Sequence, residues 1–303
     1  MPDAASAPQR PVAGILWMLL TGALFVAVTA IVKHVGSEIP APQAAFLRYL
    51  LGLVFLLPMI RPMLRASLDR RTMTLFGTRG VAHAIGVMLW FYAMTQIPIA
   101  EVTAMNYISP VYVTIGAALF LGEKLAARRI AAVVVALIGA LIILRPGVRE
   151  ISPGHLAMLV NAVLFAVSYL IAKVLADRMS AGVVVGWLSI IVTLVLAPFA
   201  AAVWVTPSWE EIAWLFLVAA FATGGHFTMT LAFRCAPIAV TQPVTFLQLV
   251  WATLLGAVAF SEPADAWVIF GGSIIIGSVS FITWREAVRK RRAVTPPAVA
   301  TKV

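Results

Sequence analysis

The sequence predicts an all-α polytopic membrane protein, and three observations support that prediction. First, the chain of 303 residues is 62% hydrophobic and only 11% charged, whereas a soluble domain has about 25% charged residues. Second, long apolar runs without charge recur along the chain, and a helix needs about 20 such residues to cross the hydrocarbon core. Third, basic residues concentrate in alternate connections between these runs. Too few charges remain to coat the surface of a soluble domain.

Ten membrane-spanning helices, called spans 1 to 10, are predicted from the apolar runs and from the proline and glycine residues between them. The first residues lack the basic region and the cleavage site of a signal peptide, so we expect span 1 to be retained. The predicted bounds of the spans are 12–32, 42–60, 80–96, 99–121, 130–144, 155–173, 183–204, 212–233, 238–260 and 265–284.

The distribution of lysine and arginine predicts the orientation of the spans. With the N-terminus in the cytoplasm, 18 of the 22 basic residues fall on the cytoplasmic side. Lys33, Arg145 and Arg149 fall outside, and Arg48 lies within a span. This asymmetry follows the positive-inside rule, places both termini in the cytoplasm and requires an even number of spans. The net charge of +10 therefore belongs to residues that flank the membrane, so we expect the lipid bilayer as a partner and no nucleic acid.

An internal repeat divides the chain into two halves of five spans each. The stretch "IPIAEV" at 97–102 returns as "APIAVT" at 236–241. Five is odd, so the second copy is predicted to enter the membrane inverted, as in many transporters and some channels. The predicted division is a cytoplasmic segment 1–11, a first repeat 12–145, a periplasmic linker 146–153, a second repeat 154–285 and a basic cytoplasmic tail 286–303. Matched positions include Pro98 with Pro237 and Glu123 with Glu262 (139 apart), and Lys33 with Lys173 and Phe25 with Phe165 (140 apart).

Several stretches together resemble the EamA type of the drug/metabolite transporter superfamily. They are "FLRYLLGLVFLLP" at 46–58, "FYAMTQIPIAEVTAMNYISPVY" at 91–112, "LGEKL" at 121–125 and "LAFRCAPIAVTQPVTFLQ" at 231–248; the last closing motif departs to "FSEPA" at 260–264. The resemblance implies a ten-helix transporter that alternates between inward- and outward-facing states. It places spans 1, 3, 4, 6, 8 and 9 around a central cavity, with spans 5 and 10 buttressing them. Bacterial aromatic amino-acid exporters of the YddG type are the nearest characterised subgroup.

Polar and aromatic residues at helical spacing on these spans are the candidates for contacting a substrate. Each has a structural alternative, because hydroxyls bond their own backbone, buried histidines pair with neighbours, and aromatic rings pack between helices. The substrate-binding candidates are His83, Trp90, Asn106, Tyr107, Asn161, Phe165, Ser168, Tyr169, His226, Gln242, Thr245 and Gln248. The structural or gating candidates are Arg48, Pro98, Pro110, Pro237 and Pro243.

The charges missing from the spans narrow the substrate class. No acidic residue is predicted at mid-span, which argues against a proton-coupled antiporter of small cations. Arg48 is the one basic residue well inside a span, and we expect a structural role for it, so an organic-phosphate exchanger is disfavoured. Glu101 is expected at the outer mouth facing outside, whereas its repeat counterpart Val240 carries no charge. The predicted cavity is apolar, aromatic and nearly neutral.

The predicted function is export of neutral or aromatic amino acids and related small metabolites across a bacterial inner membrane. Uptake or exchange of S-adenosylmethionine or a nucleobase-like compound is the alternative, followed by a channel. An enzyme is disfavoured because the chain has no HExxH, no glycine-rich phosphate loop, no paired carboxylates and no CxxC. No cofactor or metal is therefore expected. Facilitated diffusion and proton coupling through His83 or His226 both remain open, and a monomer is expected, with a dimer as the alternative.

Overall fold

A computed structural model describes residues 11–36, 38–109, 111–112, 127–145, 150–176, 179–235 and 247–294. All regular structure in these residues is helical, which confirms the predicted class. The helices are α1 Pro11–Val35, α2 Ala41–Gly52, a 3₁₀ segment Leu53–Met59, α3 Ile60–Arg65, α4 Arg70–Gln96, α5 Ile99–Asn106, α6 Ala127–Leu144, α7 Pro153–Ala176, α8 Ala181–Ala202, α9 Trp209–Cys235, α10 Leu247–Ala259 and α11 Ala266–Val294.

Five helical segments are long and apolar enough to cross a membrane. They are Val12–Val35, Ala41–Arg65, Pro153–Ala172, Gly182–Ala202 and Trp209–Met229, and shorter apolar helices lie at Val134–Leu144, Leu247–Ala259 and Ala266–Ser278. Every predicted span overlaps a described helix. Spans 4 and 9 overlap theirs only in part, because the structure does not describe 113–126 or 236–246. The count of ten crossings and the side of each terminus stay predictions.

Span 3 begins well before its predicted first residue. It was expected at 80–96, yet α4 begins at Arg70, where the Asp69 carboxylate accepts a hydrogen bond from the backbone N–H of Thr72 at 2.9 Å. This cap starts the helix ahead of the apolar run that hydropathy detects. The 27 residues of α4 include the buried polar side chains Thr72, Arg79 and His83. Neighbouring helices cover α4, so it does not need an apolar surface of its own.

The packing of the helices follows the repeat. Helix α1 packs against α9, and α4 packs against α7; the repeat exchanges these two pairs. The pairs α2 with α8, α5 with α10 and α6 with α11 each join one helix to its own repeat counterpart. This pattern is what two copies related by a two-fold axis produce.

One contact between α6 and α11 shows the two-fold relation at atomic scale. A β-carbon added at Gly139 would lie 2.7 Å from the carbonyl oxygen of Gly271, and one added at Gly271 would lie 2.6 Å from that of Gly139. The same added β-carbons would lie 2.8 Å from an isoleucine side chain of the other helix, Ile275 and Ile143 respectively. In the structure, the matching positions of these two helices are therefore 132 residues apart.

Pro98 separates α4 from α5. Its backbone is extended (φ −58°, ψ 148°) and it precedes the first residue of α5, Ile99. A proline lacks the N–H that a continuous helix would need and disfavours helical geometry in the residue before it. The helical structure is therefore interrupted at Ile97–Pro98. Pro40 likewise precedes α2 with an extended backbone (φ −53°, ψ 138°). The gating role of Pro98 remains a prediction.

Candidate functional site

A hydrogen-bonded histidine lies where α2, α4 and α7 meet. His83 is 4% exposed. Its Nε2 lies 3.0 Å from the Tyr49 hydroxyl, and its Nδ1 lies 3.2 Å from the Ser168 hydroxyl. Its ring stacks on Phe165 with a centroid separation of 4.9 Å. Both ring nitrogens are thus occupied within the protein, so His83 orients its neighbours in this state rather than offering a free imidazole.

The repeat builds a related contact around the second histidine. The His226 ring meets Phe25 edge-on at 5.2 Å, and Phe25 and Phe165 are repeat counterparts. Each phenylalanine also packs on a glycine of the partner helix. A β-carbon at Gly86 would lie 2.8 Å from the Phe165 ring, and one at Gly225 would lie 3.2 Å from the Phe25 ring. The two histidines themselves are not repeat counterparts, so the two halves share the ring-on-glycine contact and differ in their polar groups.

Two arginines lie near His83. Arg48 is half-buried, and its guanidinium carbon lies 4.0 Å from the centre of the ring of Tyr49, whose hydroxyl contacts His83. Arg79 is only 7% exposed and donates from Nη1 to the carbonyl oxygen of Val184 at 3.1 Å. Neither forms an ion pair with an acidic side chain in the part of the chain that the structure describes.

The position of Arg79 corrects the sequence-based assignment. It was counted among the basic residues of a cytoplasmic connection before span 3. The structure places it inside α4, because that helix begins at Arg70. Arg79 and His83 are four residues apart and therefore lie on the same face of α4. The described core thus contains a second arginine that hydropathy assigned to solvent.

Two asparagine side chains have a buried oxygen atom without a hydrogen-bond partner. Asn161 is 0% exposed, and its Nδ2 makes only a long contact to the Met158 sulfur at 3.9 Å. Its Oδ1, like that of the half-buried Asn106 at the end of α5, has no hydrogen-bond partner. Buried polar atoms are nearly always satisfied by protein or water. These oxygens are therefore open to a donor from water or from a bound solute.

A small cavity, with room for about one water molecule, lies between α1, α5 and α10. Phe25 belongs to its wall, so the cavity adjoins the His226 contact. The hydroxyls of Thr29 and Thr103, also in the wall, are bonded to carbonyls of their own helices at 2.9 and 2.8 Å. Of the twelve predicted substrate-binding residues, Gln248 lines this cavity. Its wall is formed by Phe25, Val26, Thr29, Thr103, Gln248, Ala252 and Leu255.

The remaining candidates fall into three groups. Tyr169 lies 5.7 Å from Phe165 and is 42% exposed, beside the His83 cluster. Half-buried Trp90 packs edge-on against Phe91 at 5.5 Å, and Tyr107 is buried at the end of α5. The structure brings together His83, Phe165, Ser168 and Tyr169. The Oδ1 of Asn161 would lie 3.1 Å from a β-carbon added at Gly86. Gln242, Thr245, Pro110, Pro237 and Pro243 lie outside the described residues.

A cluster of ion pairs, called the rim, joins the ends of α1, α6 and α10 to the beginnings of α5, α7 and α11. Lys33 Nζ lies 2.9 Å from Glu262 Oε1 and donates to the Ile97 carbonyl at 3.1 Å. The other carboxylate oxygen of Glu262 accepts from the Ile99 N–H at 2.9 Å, so it caps α5 beyond the proline break. Ser261 adopts a left-handed backbone (φ 53°) that turns Glu262 back toward the bundle. The second rim pair is Arg145 with Asp265.

The third rim pair corrects the expectation for Glu101. Instead of facing outside, Glu101 is 4% exposed, and its Oε2 lies 2.6 Å from His155 Nε2. His155 Nδ1 accepts the Ser152 N–H at 3.1 Å, so the neutral ring carries its proton on Nε2 and donates it to the carboxylate. Ser152, Pro153 and His155 form the start of α7, with His155 in the position of a capping-box acceptor. Glu101 in turn lies in the first turn of α5, where the helix dipole favours a negative charge.

Sequence reasoning missed the rim pairs, although one of them had a signal in the sequence. Lys33 in the first repeat and Glu262 in the second each have a counterpart in the other repeat, Lys173 and Glu123 respectively. Opposite charges conserved within one chain's two copies indicate pairing. The contact of Glu101 with His155 had no such signal, because the two lie on different helices and neither has an ionisable repeat counterpart.

The chain belongs to the EamA-like transporter family, whose model matches residues 12–145 and 152–284. It is therefore a multi-pass membrane transporter. A riboflavin transporter of Rhizobium johnstonii is 30% identical over 289 residues, covering 94% of this chain and 95% of that protein. An S-adenosylmethionine uptake transporter of Rickettsia prowazekii is 26% identical over 273 residues, covering 90% and 93%. A pseudopaline exporter of Pseudomonas aeruginosa is 26% identical over 265 residues, covering 87% and 93%.

A solved crystal structure has the same fold. It matches with a TM-score of 0.60 and 20% sequence identity, over 94% of this chain and 98% of that chain. The family and the three named relatives are transporters rather than enzymes. Their names support small-molecule transport, and none of the three is an aromatic amino-acid exporter.

Proposed function

We propose that the protein is a secondary transporter that moves neutral or aromatic amino acids and related small metabolites out of the cell by alternating access. The observation that supports this most is the central arrangement of rings. His83 with Phe165 and Tyr169 on one side, and His226 with Phe25 on the other, offer stacking surfaces for a planar group. The unused amide oxygens of Asn161 and Asn106 offer acceptors for an ammonium group.

The proposed orientation follows the charge asymmetry of the sequence. The rim would face the periplasm, both termini and the basic tail would lie in the cytoplasm, and the protein would sit in the inner membrane with ten spans. The proposed division is 12–145 and 154–285 for the two repeats, with a linker at 146–153 and terminal segments at 1–11 and 286–303. The pairing of α1 with α9 and of α4 with α7 supports alternation, because the repeat exchanges these two pairs.

A second candidate is transport of a flavin or an adenosyl compound, and the named relatives favour it. The riboflavin and S-adenosylmethionine transporters each align over at least 90% of this chain. Both compounds carry fused aromatic rings that could stack on the same surfaces. S-adenosylmethionine also carries an amino-acid group, so it shares recognition chemistry with the leading candidate. Its sulfonium would find no acidic side chain near His83 in the described core; Glu101 pairs with His155 at the rim.

Transport in proteoliposomes tests the proposal. Purified protein is reconstituted, and efflux and uptake of labelled phenylalanine, S-adenosylmethionine and riboflavin are compared with protein-free liposomes. Phenylalanine flux that saturates and that Phe165→Ala reduces at least tenfold supports the proposal. Val163→Ala, an exposed change on the same helix, serves as the matched control. Saturable riboflavin flux with no phenylalanine flux would establish the second candidate instead.

A further inference from the structure

We propose that Arg48 and Arg79 form a binding site for the carboxylate group of the transported solute. The inference rests on the proposed function for the identity of the solute, and on the structure alone for the anion site. It reverses the sequence-based expectation that Arg48 is structural and that the cavity is nearly neutral.

The first step is a comparison of charges. A positive side chain removed from water is costly unless it is paired and hydrogen-bonded. Lys33 and Arg145 are paired with Glu262 and Asp265 at the rim. Arg48 and Arg79 lie deeper in the bundle, and no acidic side chain among the described residues pairs with them. Two unpaired cations in one region call for an anion from elsewhere.

The second step is the geometry of Arg79. Its Nη1 is held by the carbonyl oxygen of Val184, while its Nε is buried and has no partner. Only 7% of the residue is exposed, so bulk water does not solvate that nitrogen well. A guanidinium binds a carboxylate with two parallel hydrogen bonds from one of its edges. Fixing Nη1 leaves the edge that contains Nε available for such a contact.

The third step places Arg48 in the same region. Its guanidinium lies over the Tyr49 ring, and the Tyr49 hydroxyl contacts His83, one helical turn from Arg79. Stacking on a tyrosine face orients a guanidinium and leaves its N–H groups free to donate. Arg48 is half-buried rather than enclosed.

The fourth step is the neighbouring aromatic wall. The Phe165 ring stacks on His83, and the Tyr169 ring lies 5.7 Å from Phe165. A solute whose aromatic part packs on these rings would present its anionic end to the arginines. The site thus selects solutes that combine an apolar ring with an oxyanion, and carboxylate is the group that an amino acid supplies.

The test separates the anion site from the transport function. Isothermal titration calorimetry in lipid-free detergent measures binding of 3-phenylpropionate and of the uncharged 3-phenylpropanol to wild type and to Arg48→Gln, Arg79→Gln and Arg70→Gln. Arg70 is exposed on the same helix as Arg79 and is the matched control. Arg48→Lys keeps the charge without the planar fork and serves as a second variant should a glutamine variant fold poorly.

We expect wild type to bind 3-phenylpropionate more tightly than 3-phenylpropanol. This preference for the acid should fall at least tenfold in Arg48→Gln and Arg79→Gln. Arg70→Gln should keep the full preference, and Arg48→Lys should show a preference between those of wild type and Arg48→Gln. Competition by inorganic phosphate would assign the site to oxyanions in general, and displacement by phosphatidylglycerol alone would assign it to lipid and overturn the proposal. Equal acid preference in wild type and both glutamine variants would also overturn it. Arginine-dependent acid binding without any amino-acid flux would leave the anion site standing and refute the proposed cargo.

Discussion

The rim and the centre of the bundle use basic side chains in opposite ways. At the rim, Lys33 and Arg145 are paired with carboxylates, and Glu101 is bonded to a histidine. At the centre, Arg48 and Arg79 have tyrosine and backbone contacts but no acidic partner in the described part of the chain. Both regions are buried or half-buried, so the cost of desolvating a charge applies to both.

The difference indicates what each region does. A pair of opposite charges at the helix ends fixes the positions of those helices, and each charge already has its counter-charge within the protein. A cationic centre without an internal counter-charge is unfavourable alone and becomes favourable when an anion arrives. The rim therefore contributes to the fold of this state, and the centre contributes to recognition. Substitutions in the two regions should separate stability from binding.

The largest expected effect is at the rim, on the pair between Glu101 and His155. The two side chains are 5% and 3% exposed, so His155→Ala takes a hydrogen-bond donor away from a buried carboxylate. We expect a loss of about 3 kcal/mol in the free energy of unfolding. Denaturant unfolding in detergent, followed by circular dichroism, measures it.

The paired control removes both polar side chains. Glu101→Leu combined with His155→Leu leaves no uncompensated group, so it should recover much of the loss. A single variant as stable as wild type would show that the contact does not hold α5 to α7.

The next effect concerns packing at the centre. Gly86→Ala would place a β-carbon 2.8 Å from the Phe165 ring and 3.1 Å from Asn161 Oδ1. Because these neighbours are buried and cannot move freely, we expect a loss of about 2 kcal/mol. The repeat counterpart Gly225→Ala meets the Phe25 ring at 3.2 Å, and its cost should be about 1 kcal/mol or less. Equal melting temperatures for the two variants would contradict the asymmetry between the two copies.

A smaller effect is expected for the pair of Lys33 and Glu262. Their side chains are 19% and 12% exposed, so solvent screens the attraction in part. A double-mutant cycle with Lys33→Met and Glu262→Gln should give a coupling of about 1 to 2 kcal/mol. Glu262→Gln alone retains an oxygen for the Ile99 N–H, which confines the loss to the charge interaction. A coupling near zero would mean that the pair does not contribute to rim stability.

The smallest effect is expected for Tyr49→Phe. It removes the hydroxyl bonded to His83 Nε2 and keeps the ring under Arg48. We expect a loss of about 1 kcal/mol in stability and no change in the preference for an acid over the matching alcohol. Calorimetry and thermal melting on one preparation check both parts. A lost acid preference would mean that the hydroxyl, rather than the stacked ring, positions Arg48.

The sequence predicted the helical class and the approximate place of each span, because apolar periodicity and proline breaks are local signals. It named Phe165 and the histidines as separate candidates but did not predict their contact, since contacts between helices depend on how the helices pack. Hydropathy misplaced the start of α4, because a helix covered by its neighbours can carry Arg79 and His83. The repeat contained a signal for the pair of Lys33 and Glu262, because both charges have counterparts in the other copy. No sequence pattern indicated the contact of Glu101 with His155.

The most direct test of the division between rim and centre measures two quantities on the same two variants. For Glu262→Gln and Arg48→Gln, the melting temperature and the affinity for 3-phenylpropionate are determined in one detergent. We expect Glu262→Gln to lower the melting temperature by several degrees and to leave the affinity within about twofold of wild type. Arg48→Gln should leave the melting temperature nearly unchanged and weaken binding at least tenfold. The reverse pattern, with stability lost at Arg48 and affinity lost at Glu262, would contradict the account.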